Sequence, residues 1–306
     1  MSPVTAPHKD GAPVSVVGVV GAGVIGTGVA GDVARCGHDV VLVDVDPAAL
    51  RAALDRIELD CRMSRLVTGR AVDPAAVTAR ITPEGAVAAL STCDIVVENV
   101  PEKWELKQSL YRELDRVCRP ETIFIVNTSA IPITRIGSAT QRPDRVIGVH
   151  FMNPVPMKKA VELIPGRLTS DDTIKRTEEF LASLEKDPIP VKDSCGFISN
   201  RVLMLTVNEA AFLVYEGVAS AATVDEVFRR CFGHPSGPLE TADLIGIDTV
   251  LYSIDVLYQH FADPKYRPCP LLREMTDAGL HGRKAGRGFY VYDPSAHIHI
   301  KEKDDV

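Results

Sequence analysis

The sequence predicts an α/β fold, a doubly wound and mostly parallel sheet followed by an all-α region, and three observations predict it. Short apolar runs alternate with helix-length amphipathic segments up to about Lys192. Beyond that point helical periodicity takes over. The first apolar run also ends in a glycine turn that leads straight into a helix.

The elements follow in order. Val14–Val20 reads as a strand running into Gly21-Ala22-Gly23-Val24-Ile25-Gly26, and an apolar helix continues to Ala34. A second strand, Val40–Val43, ends in Asp44, twenty-three residues past Gly21. Pro47–Leu66 reads as a helix with proline in its first turn. Asp94–Glu98, Thr122–Asn127, Arg145–His150 and Ala160–Ile164 read as strands. Lys103–Val117, Ile133–Thr140 and Ser170–Lys186 read as helices. In the second region Phe197–Glu216, Val224–Cys231, Leu239–His260 and Leu271–Ala278 are helical by pattern. The expected organisation is a tail at 1–12, a sheet domain at 13–192, a helical domain at 193–296 and a second tail at 297–306.

The opening strand, turn, helix and strand form the G-x-G-x-x-G unit of a Rossmann-type dinucleotide site. Gly21 permits the tight turn, Gly23 lets a pyrophosphate approach the backbone, and Gly26 lets helix and strand pack closely. The N–H groups of the turn, including those of Val24 and Ile25, and the positive end of the helix favour the phosphates. A carboxylate at Asp44 can accept both ribose hydroxyls and repels a 2′-phosphate. The expected cofactor is therefore NAD rather than NADP.

Bulk properties exclude several classes. The 306 residues carry a net charge of −7, with 45% hydrophobic and 25% charged residues, which leaves no basic footprint for nucleic acid. The seven cysteines are odd in number and form no C-x-x-C, so neither a metal site nor a disulfide framework is expected. The N-terminus lacks the apolar core of a signal peptide, and no stretch is long enough for a membrane span. These features point to a cytoplasmic location.

Polar residues at the carboxyl ends of strands are the candidates for chemistry. Asn127-Thr128-Ser129 follows one strand, His150 closes another, and Glu162 interrupts the next apolar run. If the strands bearing His150 and Glu162 are neighbours, imidazole and carboxylate can meet. That pair suits oxidation of a hydroxyl, in which a base takes the proton while hydride leaves the same carbon. Spacing alone leaves a second reading open: a satisfied core histidine and a glutamate in an unrelated ion pair. Taken singly, Ser129 also fits a helix cap and Asn200 a helix-terminus contact.

Several longer stretches extend the pattern: Gly21–Ala30, Asn127–Ser129, His-Phe-Met-Asn-Pro-Val-Pro from His150, Val-Glu-Leu-Ile from Val161, and Gly-Phe-Ile-Ser-Asn-Arg from Gly196. Gly237–Thr249 and Gly-Arg-Lys-Ala-Gly-Arg-Gly-Phe-Tyr from Gly282 complete it. With these motifs the chain, from about Val16 to Tyr292, resembles the L-3-hydroxyacyl-CoA dehydrogenases, in particular the short bacterial 3-hydroxybutyryl-CoA kind. The resemblance implies His150 as general base and Glu162 as its partner. Ser129 and Asn200 would hydrogen-bond the substrate oxygens, Asn200 from the helical domain across a cleft. It further implies that Glu102 and Lys107 contact the nicotinamide side of NAD, with Asn127 among the cofactor residues, and that the protein is a homodimer built through the helical domain.

The sequence departs from the family at Ala130, Cys195 and Ser236, where Ser, Pro and Met are usual. None of these changes removes a catalytic group; they bear on acyl preference. CoA-binding members use basic residues on the helix after Asp44, whereas here Arg56, Arg62 and Arg65 mix with Asp55, Glu58 and Asp60. Val-Glu-Asn-Val-Pro-Glu from Val97 is similar to relatives acting on acyl-carrier-protein thioesters in polyketide extender-unit synthesis. The expected substrate is an acyl-CoA or acyl-carrier-protein thioester. A sugar-acid dehydrogenase on the same fold would lack the His150 motif. A non-catalytic, crystallin-like or NAD-sensing protein need not keep Ser129, His150, Glu162 and Asn200 together.

Overall fold

The computed structural model describes residues 14–68 and 71–292, with the side chains of 65–68 left aside. The expected tails at 1–12 and 297–306, and the side chain of Arg65, lie outside the described residues. The chain divides between Asp193 and Ser194 into two compact units.

The first unit holds one eight-stranded sheet. Its strands are β1 (Val16–Val20), β2 (Asp39–Val43), β3 (Ile81–Glu84), β4 (Ile95–Glu98), β5 (Ile123–Val126), β6 (Val146–His150), β7 (Ala160–Pro165) and β8 (Asp187–Pro190). They lie in the order β3-β2-β1-β4-β5-β6-β7-β8. Every neighbouring pair is parallel except β6–β7. The strand order reverses between β1 and β4, the position where doubly wound sheets open a ligand crevice beyond their carboxyl ends.

The helices of this unit are α1 (Val24–Arg35), α2 (Pro47–Thr68), α3 (Pro74–Thr78), α4 (Trp104–Val117), α5 (Ile133–Gly137) and α6 (Asp171–Ser183). Val17, Val19, Val29, Val33, Leu42, Ile95 and Val97 pack into a continuous core between sheet and helices. The central strands β4, β5 and β6 are buried along their whole length, as a sheet covered on both faces requires.

Two strands and a helix exceed what the sequence pattern predicts. β3 and β8 are the two edges of the sheet. They contain Pro83, Pro188 and Pro190, which suit an edge because proline cannot donate to a ladder. The five-residue α3 is set by Pro74 at its first position and by Asp73, whose side chain accepts from Ala75 N.

The second unit is helical: α7 (Ser199–Tyr215), α8 (Ala221–Cys231), α9 (Pro238–Ile245), α10 (Ile247–Phe261) and α11 (Pro270–Asp277). The single helix expected over Leu239–His260 is thus two helices. Gly246, at φ 104°, breaks it in a conformation open to glycine. Leu239, Val250, Ile254, Leu257, Tyr266 and Leu272 form the core of this unit. Among the described residues no helix is long and apolar enough to cross a membrane.

Candidate active site

The glycine turn sits where β1 hands over to α1 beside the switch point. Gly21 adopts φ 94°, and a Cβ there would lie 2.8 Å from the Asn99 carbonyl oxygen. A Cβ on Gly26 would sit 1.8 Å from the Gly21 carbonyl oxygen, so only glycine lets the helix start this close to the strand. Around Gly23, by contrast, there is open space. No described side chain caps α1, and its first turn carries no acidic residue. Its leading N–H groups, at Val24 and Ile25 among others, therefore remain available to an anion. Asp44 closes the arrangement: its Oδ2 accepts from Ala22 N at 2.7 Å and its Oδ1 from Asp46 N at 2.9 Å. An open backbone cradle at an uncapped helix start, with a carboxylate at the tip of the second strand, fits a dinucleotide. Bound NAD would be held by Gly21–Gly26 and Asp44.

Three strands away, His150 closes β6 and stands directly opposite Glu162 in the antiparallel β6–β7 register. Both side chains are buried. His150 Nδ1 lies 2.8 Å from Glu162 Oε2, and His150 Nε2 lies 3.1 Å from Ser129 Oγ. In the tautomer with its proton on Nδ1, a neutral His150 would donate to the Glu162 carboxylate and present Nε2 as the acceptor facing Ser129. Asn127 ties the strand ends together: its Nδ2 donates to Asn99 Oδ1 at 2.8 Å, and its Oδ1 accepts from Phe151 N at 3.2 Å.

The turn carrying Ser129 is held from below by Glu102. One carboxylate oxygen of Glu102 accepts from the backbone N–H groups of Ser129, Ala130 and Ile131 at 3.2, 2.9 and 3.1 Å, and from the Thr128 hydroxyl. Its other oxygen lies 3.6 Å from Lys107 Nζ. The Lys107 ammonium is fully enclosed and donates to both oxygens of Glu98 at 2.7 and 2.8 Å. Glu98 also accepts from Val100 N and Tyr111 Oη. Burial pushes the Glu98 carboxyl above its ordinary value, against the pull of Lys107. Burial also opposes the Lys107 charge, but the Glu98 and Glu102 carboxylates outweigh it and hold that pKa above the usual lysine value.

The sequence reading thus finds Gly21, Gly23, Val24, Ile25, Gly26 and Asp44 in one cradle, and Ser129, His150 and Glu162 in one chain of contacts. Asn200 lies in the first turn of α7 in the helical unit, half-buried. Glu98 escaped the sequence reading. Its only signal is a carboxylate closing an apolar strand, followed by Glu102 and Lys107 at positions a turn and a helix can bring back to it. Among the described residues no group of three or more His, Cys, Asp or Glu is placed to hold a metal.

Comparison with known proteins agrees with this geometry. Residues 16–194 match the family model of the 3-hydroxyacyl-CoA dehydrogenase NAD-binding domain, and residues 196–292 match that of its C-terminal domain. The chain is 44% identical over 284 residues to a 3-hydroxybutyryl-CoA dehydrogenase of Bradyrhizobium diazoefficiens, covering 92% of this chain and 96% of the relative. It is 43% identical over 276 residues to a probable 3-hydroxybutyryl-CoA dehydrogenase of Bacillus subtilis, covering 90% and 96%. Among solved structures, the (S)-3-hydroxybutyryl-CoA dehydrogenase of Ralstonia eutropha superposes with a TM-score of 0.84 at 42% identity, covering 92% of this chain and 99% of that one. The chain belongs to the 3-hydroxyacyl-CoA dehydrogenase family of oxidoreductases, and its cofactor is NAD.

Proposed function

We propose that this protein interconverts a short 3-hydroxyacyl thioester and its 3-oxoacyl counterpart, with a 3-hydroxybutyryl-CoA-like substrate. The observation that carries the reading is the Ser129–His150–Glu162 alignment, with His150 between the other two at 3.1 and 2.8 Å. Ser129 Oγ marks where a substrate hydroxyl can enter the same hydrogen bond. His150 Nε2 then takes the hydroxyl proton, and Glu162 stabilises the imidazolium that forms. NAD, when bound, supplies the hydride acceptor. Asn200 is a second hydrogen-bonding candidate for the substrate oxygens. Asp44 favours NAD over NADP through repulsion of a 2′-phosphate. We expect a homodimer, supported by the exposed apolar side chains Tyr215, Val218, Val227, Phe232 and Leu244 of the helical unit.

A specific observation favours a second carrier. On α2, Arg56 pairs with Asp60 at 2.9 Å and Arg62 with Glu58 at 2.5 Å, so these arginines are partly neutralised. NADH formation with 3-hydroxybutyryl-CoA, run beside a small hydroxyacyl-carrier-protein thioester such as the glyceryl one, tests the choice. Turnover of the CoA ester supports the primary reading, and turnover of the carrier-protein ester alone moves the enzyme to the second. Absence of both contradicts the proposal.

A further inference from the structure

The ammonium of Lys186 stands between the helix of the dinucleotide cradle and the hairpin that carries the proposed base. Lys186 is buried and lies between α6 and β8. Its Nζ is 2.6 Å from the Val155 carbonyl oxygen, 3.0 Å from that of Lys158 and 2.7 Å from Asp32 Oδ2. Val155 and Lys158 belong to the connection 151–159, which joins β6 with His150 to β7 with Glu162. Asp32 belongs to α1, the helix whose start forms the cradle. We infer that Lys186 and Asp32 are positioning residues: Lys186 gathers two carbonyls of the connection onto Asp32 and so holds the His150–Glu162 pair in register beside α1. This rests on the proposed dehydrogenase reading.

Three observations support it. First, the connection 151–159 is far longer than the two-residue turns that set a hairpin's register by themselves, and its only helical turn is the short Val155–Met157. A slip of one residue would turn Glu162 to the opposite face of the sheet, away from His150. Second, the connection meets α1 at another point. A Cβ on Gly28 would lie 3.1 Å from Val155 Cβ, so Val155 sets its side chain on α1 and gives its carbonyl to Lys186. Third, the ion pair is deep: Lys186 is 4% exposed and Asp32 1%. Only the second oxygen of Asp32 reaches outward, to Arg35 Nε at 3.1 Å and Nη2 at 2.8 Å. A buried ion pair is a poor source of stability compared with apolar packing, so what this one adds is the geometry it imposes.

The test uses the paired variant Lys186→Met with Asp32→Asn, which removes both buried charges together and avoids stranding one of them. The backbone bond from Asp187 N to the Lys159 carbonyl, at 2.9 Å, remains to dock β8. Asp94→Asn is the structural control. Asp94 holds Ser15 N and Val16 N at the amino ends of β1 and β4, the end of the sheet away from the site. Each protein is assayed well below its melting temperature, with saturating NAD and 3-hydroxybutyryl-CoA. The paired variant should lose about tenfold or more in kcat while KM for the ester changes by less than about threefold. Asp94→Asn should lower the melting temperature and keep kcat. In the ligand-free protein the amides of Met157 and Lys158 donate to the Pro154 carbonyl at 3.0 and 3.2 Å. Their hydrogen exchange should accelerate in the paired variant and not in the control.

Wild-type kcat in the paired variant would overturn the inference, and so would a loss of kcat that Asp94→Asn shares. If the paired variant does not fold, Lys186→Gln replaces it: its uncharged side chain is one bond shorter and can serve one carbonyl but not both. Intermediate kcat with faster exchange at Met157 and Lys158 is then expected, and wild-type values for both refute the inference. Should the unsubstituted enzyme turn over no thioester, it is the dehydrogenase reading that fails, and exchange at Met157 and Lys158 still reports whether Lys186 holds the connection.

Discussion

In the helical unit, the fully buried Asp225 and Asp243 are surrounded by backbone N–H groups and tyrosine hydroxyls. Asp225 accepts from Leu239 N, Glu240 N and Tyr290 Oη at 2.9, 2.8 and 2.7 Å. Asp243 accepts from Phe289 N, Tyr290 N and Tyr292 Oη at 3.0, 2.9 and 3.0 Å. In the sheet unit, buried Glu162 faces a histidine whose second nitrogen meets a serine hydroxyl. Both regions bury carboxylates, so burial of charge does not separate structure from chemistry. The partner does. A carboxylate closed off by N–H and phenol donors ties the segment around Tyr290 to α8 and α9. A carboxylate bonded to an imidazole leaves a proton acceptor at the far end.

Substitutions at the two kinds of buried carboxylate should do different kinds of damage. Beyond the histidine itself, the largest effect is expected from Glu162→Gln. An amide can donate to Nδ1 and favour the wrong tautomer, so kcat should fall by about 10²–10³-fold while NADH binding stays near wild type. A loss below threefold would show that the two kinds of buried carboxylate are not distinct.

In the helical unit the loss should fall on stability instead. A Cβ at Gly288 would lie 2.1 Å from Asp243 Oδ1, so Gly288→Ala should cost about 3 kcal/mol. Asp243→Asn, which removes a charged acceptor, should cost about 2 kcal/mol. Thermal unfolding reads both. The fraction that stays folded should bind NADH normally, and wild-type unfolding with weaker NADH binding would reverse the assignment.

A smaller effect concerns pH. Burial works against the Asp94 charge, but N–H groups of Ser15 and Val16 and the Arg119 guanidinium hold its pKa below the ordinary aspartate value. Its contribution is therefore present above the unfolded aspartate range and lost as pH falls through the lowered value. Acid unfolding of wild type and Asp94→Asn should converge at low pH and separate toward neutrality. Parallel curves would contradict the linkage.

The smallest effect is on thiol reactivity. Burial pushes the Cys93 thiol up to about 12 and the Cys118 thiol up to about 11, whereas Cys231 in the helical unit is exposed. Iodoacetamide near neutral pH should label Cys231 and spare Cys93 and Cys118 until the chain unfolds, as peptide mass mapping would show.

Much of this was legible in the sequence because its signals are local. The strand, glycine turn, helix and Asp44 read directly, since each residue type answers a requirement of its own backbone. His150 and Glu162 read as a pair because a turn of the right length returns β7 alongside β6. The edge strands β3 and β8 did not read, because Pro83, Pro188 and Pro190 mimic loop. The break at Gly246 hid inside an apolar pattern that runs through both α9 and α10. Glu98 and Asp193 were missed for another reason. Asp193 accepts from Ile133 N and Thr134 N at 2.8 Å each, sixty and fifty-nine residues away, a contact that no local periodicity reports.

The most direct measurement is the rate of NADH formation by wild type and His150→Ala on 3-hydroxybutyryl-CoA, with NADH affinity measured on the same samples. Wild type should turn over the ester, kcat of the variant should fall by about 10²–10⁴-fold, and NADH affinity should be nearly equal in the two. Activity of the variant within tenfold of wild type would contradict His150 as the base.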